Sequence, residues 1–522
     1  MSSALAKELV KEYGYQRKIK TREELRAILG PFPREKKVIM CHGTFDLVHP
    51  GHIRHLLFAK SKADVLVVSL TCDAWIQKSD FRPFVPQDLR AMNLAALEMV
   101  DYVLIDENPT PIQNILFVQP DYFAKGYDYR DGKIPPKTQE EIDTLKSYGA
   151  DMLFTPGDVV FSSSKFIEKN KPNLLIEKLL TLMASESITF DTLRNALALF
   201  PKYKVHVIGD TIVDSYVFCT PISTGSSKTP TLSVRFDRQV DYSGGAAVVA
   251  KHLRASGAEV RFSTVLGNDE MKTFIVNDLT KCGVDCRPVI DATRCTTQKM
   301  AFIANSYRML KFDRVDNQPI SGKTLDDLLH SYSSSDADGF VFSDFRHGIF
   351  NRATIPDLTE KLPKGKIKVA DSQVASRWGN ILEFQGFDLI TPNEREARFS
   401  LADQDSVVRP MALQLYKQAN CKLLILKLGS RGSITYRHPS DDVRAFFNLD
   451  SFADNVVDPV GAGDALLAYA TLALIAKQSD VVASILGNIA AGVACEHDGN
   501  WQVTPEEIGK KIDSLENRSN YK

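Results

Sequence analysis

The sequence predicts an α/β protein of two domains, each built on a parallel sheet with helices on its faces. Three observations carry that expectation. The chain has 522 residues, too many for one ordinary hydrophobic core. Short apolar runs of strand length alternate with stretches of helical periodicity through most of it, as parallel sheets with crossover helices require. The alternation is interrupted once, around residues 168–202, by a polar stretch followed by purely helical periodicity.

Residues 1–36 read as an N-terminal helical extension. Thr21 and Glu24 have capping-box spacing, and Gly30-Pro31 stops the helix. A first domain follows over 37–168, opening on the buried strand Lys37–Cys41. Strands are expected at Val65–Leu70 and Tyr102–Ile105, helices at Pro50–Lys60 and Gln87–Val100. Residues 169–202 read as a linker of one or two helices, with periodicity from Leu174 to Leu199. The strand Val205–Ile208 then opens a second α/β domain over 203–522. Near its end the longest apolar run, Ala465–Ala476, falls short of the ~20 residues a bilayer crossing needs and reads as a buried core helix.

Composition narrows the function classes. Hydrophobic residues make up 44% and charged residues 25%, the profile of a globular protein. Net charge is −1 with no long charge run, which argues against nucleic acid and anionic membrane as partners. The first twenty residues carry scattered charges and no apolar core, so no secretory signal is read and a cytoplasmic location is expected. The eight cysteines are sparse and read as reduced thiols. Cys282, Cys286 and Cys295 lack the CxxC or histidine pair of a zinc site.

The first chemical constellation is Gly43-Thr-Phe-Asp-Leu-Val-His-Pro-Gly-His52, directly after a strand and opening a helix. Free N–H groups and the positive dipole end of a helix suit phosphates there. Gly51 lets the backbone come close, and His49 and His52, three apart, can aim ring N–H groups at the same phosphate oxygens. His42 reads as a packing residue, and His55 as facing solvent or a neighbour. GTFDLVHPGH resembles the signature of the cytidylyltransferase-like nucleotidyltransferases, with a Rossmann-like fold. So do Lys78, Arg82-Pro83 and Arg90, the run Pro120-Asp121 through Lys125-Gly126-Tyr127-Asp128-Tyr129, and Ser162-Ser163-Ser164. The resemblance implies attack by a substrate phosphate on the α-phosphate of a nucleoside triphosphate, ATP or CTP, with release of pyrophosphate. It implies His49 and His52 as catalytic residues. It assigns Thr44, Phe45, Lys78, Arg82, Lys125 and Ser162–Ser164 to nucleotide and phosphate, and Asp128 to nucleotide or substrate.

The second constellation is Asp458-Pro-Val-Gly-Ala-Gly-Asp464, immediately before the apolar helix. It again places backbone N–H groups at a phosphate-sized site, with Asp464 poised as a general base for a hydroxyl attacking the γ-phosphate of ATP. DPVGAGD resembles the signature of the ribokinase-like (PfkB) sugar kinases. Further pieces fall in that family's order: Gly209-Asp210 with Asp214, Ser243-Gly244-Gly245, Gly267-Asn-Asp269, Ser343-Asp344, Thr391-Pro-Asn393 with Glu396, Leu428–Gly432, and Asn488–Gly499 as the last ATP-side helix. The resemblance implies that Asp210, Asp214, Gly244, Gly245 and Asp344 bind substrate. It implies that Gly429, Gly432, Gly461, Ala462, Gly463 and Asn488 serve the nucleotide, and that Asn393 and Glu396 organise Mg2+ indirectly. Val248 departs from the pattern, standing where many members have a sugar-contacting asparagine.

The two halves together resemble the family of bifunctional heptose 7-phosphate kinase/heptose 1-phosphate adenylyltransferases, with the domain order reversed. That resemblance implies a two-step sugar activation with sugar phosphates, nucleoside triphosphates and Mg2+ as partners, in a homodimer. A CTP-dependent enzyme making a CDP-activated polyol or sugar, or a chain with one non-catalytic half, are the other readings.

Overall fold

The computed structural model describes residues 14–76, 83–126, 135–155, 174–223, 232–374, 378–438 and 445–519. They divide into two compact units, Met1–Ser187 and Ile188–Lys522.

The first unit is a parallel sheet of β1 (Val38–Gly43), β2 (Val65–Thr71), β3 (Tyr102–Asp106), β4 (Tyr122–Gly126) and β5 (Asp151–Thr155), in the order β3-β2-β1-β4-β5. Successive residues of β1 serve opposite faces. Ile39 and Cys41 join a core with Leu56 and Leu94, while Val38 and Met40 join another with Leu25 and Ile115. A sheet buried on both faces needs such continuously apolar strands. The capping box at Thr21 and Glu24 is formed, and its helix, Arg22–Leu29, places Leu25 fully in the core. The chain runs from β1 outward to β2 and β3, then returns to β4 on the other side. The carboxyl ends of β1 and β4 thus flank the crevice where such sheets bind ligands.

Two expected helices differ. The one from Gln87 ends at Ala95, and the periodic stretch Leu174–Leu199 is two helices, Leu175–Ser185 and Phe190–Leu199. Ser187, with φ of 55°, breaks the second stretch, and Thr189 caps the new helix.

The second unit carries two sheets. The larger consists of β6 (Lys204–Gly209), β9 (Glu259–Leu266), β10 (Asp285–Ile290), β13 (Gly339–Asp344), β14 (Ile367–Ser372), β15 (Leu389–Ile390), β16 (Leu423–Lys427), β17 (Ser433–Arg437) and β18 (Phe446–Leu449). Their order is β10-β9-β6-β13-β14-β15-β16-β17-β18, parallel as far as β16 and antiparallel beyond. The smaller sheet, β12-β11-β7-β8, is formed by β7 (Thr211–Ser223), β8 (Ser233–Gly245), β11 (Gln298–Ala304) and β12 (Tyr307–Arg314). The expected buried helix is Ala462–Ile475, and it lies in contact with the helix Asp480–Cys495. No described helix is long and apolar enough to cross a membrane.

Candidate active sites

In the first unit the site forms where β1 gives way to the helix Pro50–Lys60. His49 is the N-cap, and its Nδ1 accepts the Gly51 N–H at 3.1 Å. With Nδ1 as acceptor, the neutral ring carries its proton on Nε2, a donor free for a ligand. Gly51 is required by this cap, since a Cβ there would lie 2.8 Å from the His49 ring. The His49 and His52 rings stack with centroids 4.0 Å apart. Among the described residues His52 Nδ1 is buried without a hydrogen-bond partner, and burial, then the neighbouring His49 and His55, push the ring's pKa down to about 4. The two histidines are thus brought together, and both rings are neutral at pH 7 in the free protein.

The other expected residues fare differently. Phe45 is buried and packs its ring against that of His52, centroids 5.1 Å apart. Arg90 is completely buried. Its guanidinium donates to the carbonyls of Thr44, Val85 and Thr71 and to Asp73 Oδ1. It therefore fixes the Thr44 turn from behind and is no surface contact for a nucleotide. Asp46 adds a second tie, accepting the Phe84 and Val85 N–H groups at 3.0 and 2.8 Å. Lys125 stands at the end of β4, paired with Glu141 and donating to Thr138 Oγ1. His42 bonds to Ser69 and Thr71, while His55 meets Thr155 Oγ1 at 3.0 Å. Lys78, Arg82, Asp128 and Ser162–Ser164 lie outside the described residues.

In the second unit the phosphate-side residues converge on the carboxyl ends of β14, β15 and β16. Gly461, with φ of 77°, is the N-cap of the helix Ala462–Ile475, and Asp464 sits in its first turn. Burial, then the nearby Asp371, raise the Asp464 carboxyl to about 7, with Lys427 opposing. Asn393 and Glu396 form a reciprocal capping box at 2.7 and 2.9 Å. Burial likewise pushes Glu396 to about 7, against the pull of Lys427. Gly429 and Gly432 shape the tight turn between β16 and β17, both at positive φ. Asp458 braces the loop from the other side by accepting the Val460 and Gly499 N–H groups.

Three of the expected residues have their polar groups engaged within the protein. Asp210 is buried and accepts the Phe345 and His347 N–H groups at 3.0 and 3.1 Å. Asp344 is fully buried and holds Ser372 Oγ and Asn380 Nδ2 at 2.7 and 2.8 Å. Both aspartates brace the loop after β13 from inside, Asp344 also accepting the Arg346 N–H at 2.8 Å. Asn488 lies inside the helix Asp480–Cys495, its amide donating to the Ser484 carbonyl, and that helix precedes a further one at Pro505–Ser519. Asp214 keeps a half-buried place on β7, where its carboxylate closes over Gly244. Its register partner on β11 is Lys299. Gly245, at φ of 64°, caps the next helix, and Val248 on that helix is buried.

Two residues at this site escaped the reading of the sequence, Asp371 and Lys427. Lys427 Nζ lies 3.1 Å from Asp371 Oδ1, which also accepts from Thr391 Oγ1 at 3.0 Å. The available signal was a lone charge closing each of two apolar strands, Val369-Ala-Asp371 and Leu423-Leu-Ile-Leu-Lys427. Among the described residues no three His, Cys, Asp or Glu side chains are grouped to hold a metal by themselves. The arrangement fits a Mg2+ ion that arrives with nucleotide phosphates, the usual mode for that ion.

With this geometry in place, comparison with known proteins adds lineage. A family model described as pfkB family carbohydrate kinase matches residues 202–506, and a cytidylyltransferase-like model matches residues 40–178. The bifunctional protein HldE of Sulfurimonas denitrificans is 29% identical over 321 residues, covering 60% of this chain and 65% of that protein. HldE of Campylobacter jejuni subsp. doylei is 38% identical over 166 residues, covering 30% of this chain and 32% of its own. The chain thus spans less than two-thirds of the length of these relatives, and the partial matches accord with halves in reversed order. Among solved structures, the tetrameric inhibited form of phosphofructokinase-2 from Escherichia coli aligns over 60% of this chain and 99% of its own. Its TM-score is 0.50 and its identity 16%, a likeness of fold alone.

Proposed function

The chain belongs to the pfkB family of carbohydrate kinases, and from that premise we propose that it activates a sugar in two steps at two separate sites. In the kinase step a substrate hydroxyl attacks the γ-phosphorus of ATP. Its proton passes to Asp464, the bond from the γ-phosphorus to the bridging oxygen breaks, and ADP leaves. The N–H groups of Gly463 and Asp464 receive the phosphate at the helix N-terminus, while that of Ala462 donates to the Pro459 carbonyl at 3.3 Å. Mg2+ bound with the nucleotide would neutralise phosphate charge, and Glu396 and Asn393 are the residues placed to orient it.

In the transferase step an oxygen of a sugar 1-phosphate attacks the α-phosphorus of a nucleoside triphosphate, and pyrophosphate leaves with the bond it was joined by. No covalent enzyme intermediate is required. His49 and His52 donate hydrogen bonds to the charge that develops on the phosphate oxygens. The observation that carries the reading is the stacked, neutral histidine pair at one helix N-terminus in a chain with Asp464 at another.

The substrates we infer are heptose 7-phosphate, phosphorylated at the anomeric oxygen to the bisphosphate, and, after a separate phosphatase has hydrolysed the 7-phosphate to inorganic phosphate, the heptose 1-phosphate, which takes the adenylyl group of ATP. The support is the similarity of both halves to HldE proteins. The cytidylyltransferase-like match keeps CTP as the alternative nucleotide. A homodimer through the small sheet accords with its exposed Phe236, Leu310 and Phe312. Light scattering would return twice the chain mass. Assay of ADP release with heptose 7-phosphate, glucose 6-phosphate and fructose 6-phosphate tests the kinase substrate. Turnover only with a hexose phosphate would displace the heptose.

A further inference from the structure

We propose that Lys427 is a catalytic residue of the kinase site, its ammonium held by Asp371 against the first turn of the helix Ala462–Ile475, where it contacts the phosphoryl group in transfer. The inference rests on the kinase reading and adds a participant to it.

Lys427 closes β16 after four apolar residues and reaches the carboxyl edge of the sheet, beside the turn that carries Asn393. Its backbone N–H donates to the Pro392 carbonyl at 2.9 Å, which fixes the start of the side chain. The ammonium ends so close to Gly463 that a Cβ on that glycine would lie 3.1 Å from Nζ. Any side chain larger than that of Gly463 would crowd the lysine's ammonium. The position is electrostatically odd. A helix N-terminus is the positive end of the dipole, so a buried cation beside it is disfavoured unless negative charge is also present. Asp371, Glu396 and Asp464 supply part of that charge and raise the Lys427 pKa against the effect of burial.

A purely structural role would be an ion pair with Asp371. The donor inventory argues for more. An ammonium has three N–H donors, and among the described residues Lys427 uses one, toward Asp371. The side chain is only 15% exposed, so the other donors have little water to meet. They lie beside the free N–H groups of the helix start and near the base Asp464, in the space a γ-phosphate must cross. A phosphate oxygen satisfies them, and the charge that builds during transfer is met by a fixed cation.

The test measures ADP release by the full chain with ATP and a sugar phosphate. Lys427→Met should lower kcat about a hundredfold or more, the usual effect of removing one well-placed donor. Because that variant leaves Asp371 unpaired, the double variant Asp371→Asn/Lys427→Met removes both charges. We expect it to melt near wild type and remain slow. Recovery to within about threefold of the wild-type rate would overturn the proposal and leave Lys427 as the partner of Asp371. A second readout needs no variant: reductive methylation of Lys427, read by mass spectrometry. The non-hydrolysable analogue AMP-PNP with Mg2+ should protect it and adenosine should not; equal reactivity in both would also overturn the proposal. Absence of ADP release by the wild type with every sugar phosphate would instead remove the kinase reading, and the protection experiment still judges Lys427.

Discussion

His52 is the residue on which the proposed nucleotidyl transfer most depends. Among the described residues its Nδ1 has no hydrogen-bond partner, burial pushes its pKa down to about 4, and His49 stacks on it. His52→Ala should reduce nucleotidyl transfer about a hundred- to a thousandfold while leaving ADP release by the other half unchanged. Paired assays on one preparation check this. Asp464 supplies the corresponding prediction for the kinase. A carboxyl with a pKa of about 7 holds its proton below that value and accepts one above it. The kcat/KM for phosphoryl transfer should therefore rise with pH through about 7, and Asp464→Asn should abolish the limb together with most of the rate. The buried histidines act in the opposite sense on stability. His42, His52 and His55 are held near 4, below the ordinary value of 6.5, so the unfolded chain binds protons more readily than the folded one between those values. The stability they contribute is present above pH 6.5 and lost as pH falls toward 4, which thermal unfolding across that range will follow.

The segments that carry these residues were legible to different degrees, for physical reasons. The helix Pro50–Lys60 was read to its exact ends, because Pro at the first position and the preceding strand mark its start. The GAGD turn was readable because phosphate sites at helix starts demand small residues in a fixed order. The buried surroundings of Asp210 and Asp344 were not legible, because a sequence does not say whether an aspartate at a strand end faces out or braces a loop. Their backbone and side-chain partners lie more than 100 and 25 residues away, respectively. Lys427 was missed because a single lysine after an apolar strand looks like ordinary solvation. Arg90 belongs to the same class. It ties three loop carbonyls and Asp73 behind the histidine site. Arg90→Met removes the buried guanidinium from three carbonyls and from Asp73, so the first unit should lose about 3–5 kcal/mol of stability. Chemical denaturation monitored at Trp75, on that unit, measures the loss.

Each unit has its own sheet and its own buried cores, with Val68 and Leu104 in the first and Phe342 and Leu424 in the second. Separately expressed, residues 1–187 and 188–522 should each fold, the first retaining pyrophosphate release and the second ADP release. The reversed order relative to HldE proteins would then carry no chemical cost. The central claim is that one chain joins these two transfers on a single sugar. It is tested most directly by pyrophosphate release from the purified full chain, offered heptose 1-phosphate or glycerol 3-phosphate against ATP and CTP. The account predicts release with the sugar 1-phosphate and ATP; release only with glycerol 3-phosphate and CTP, or with no pair, would contradict it.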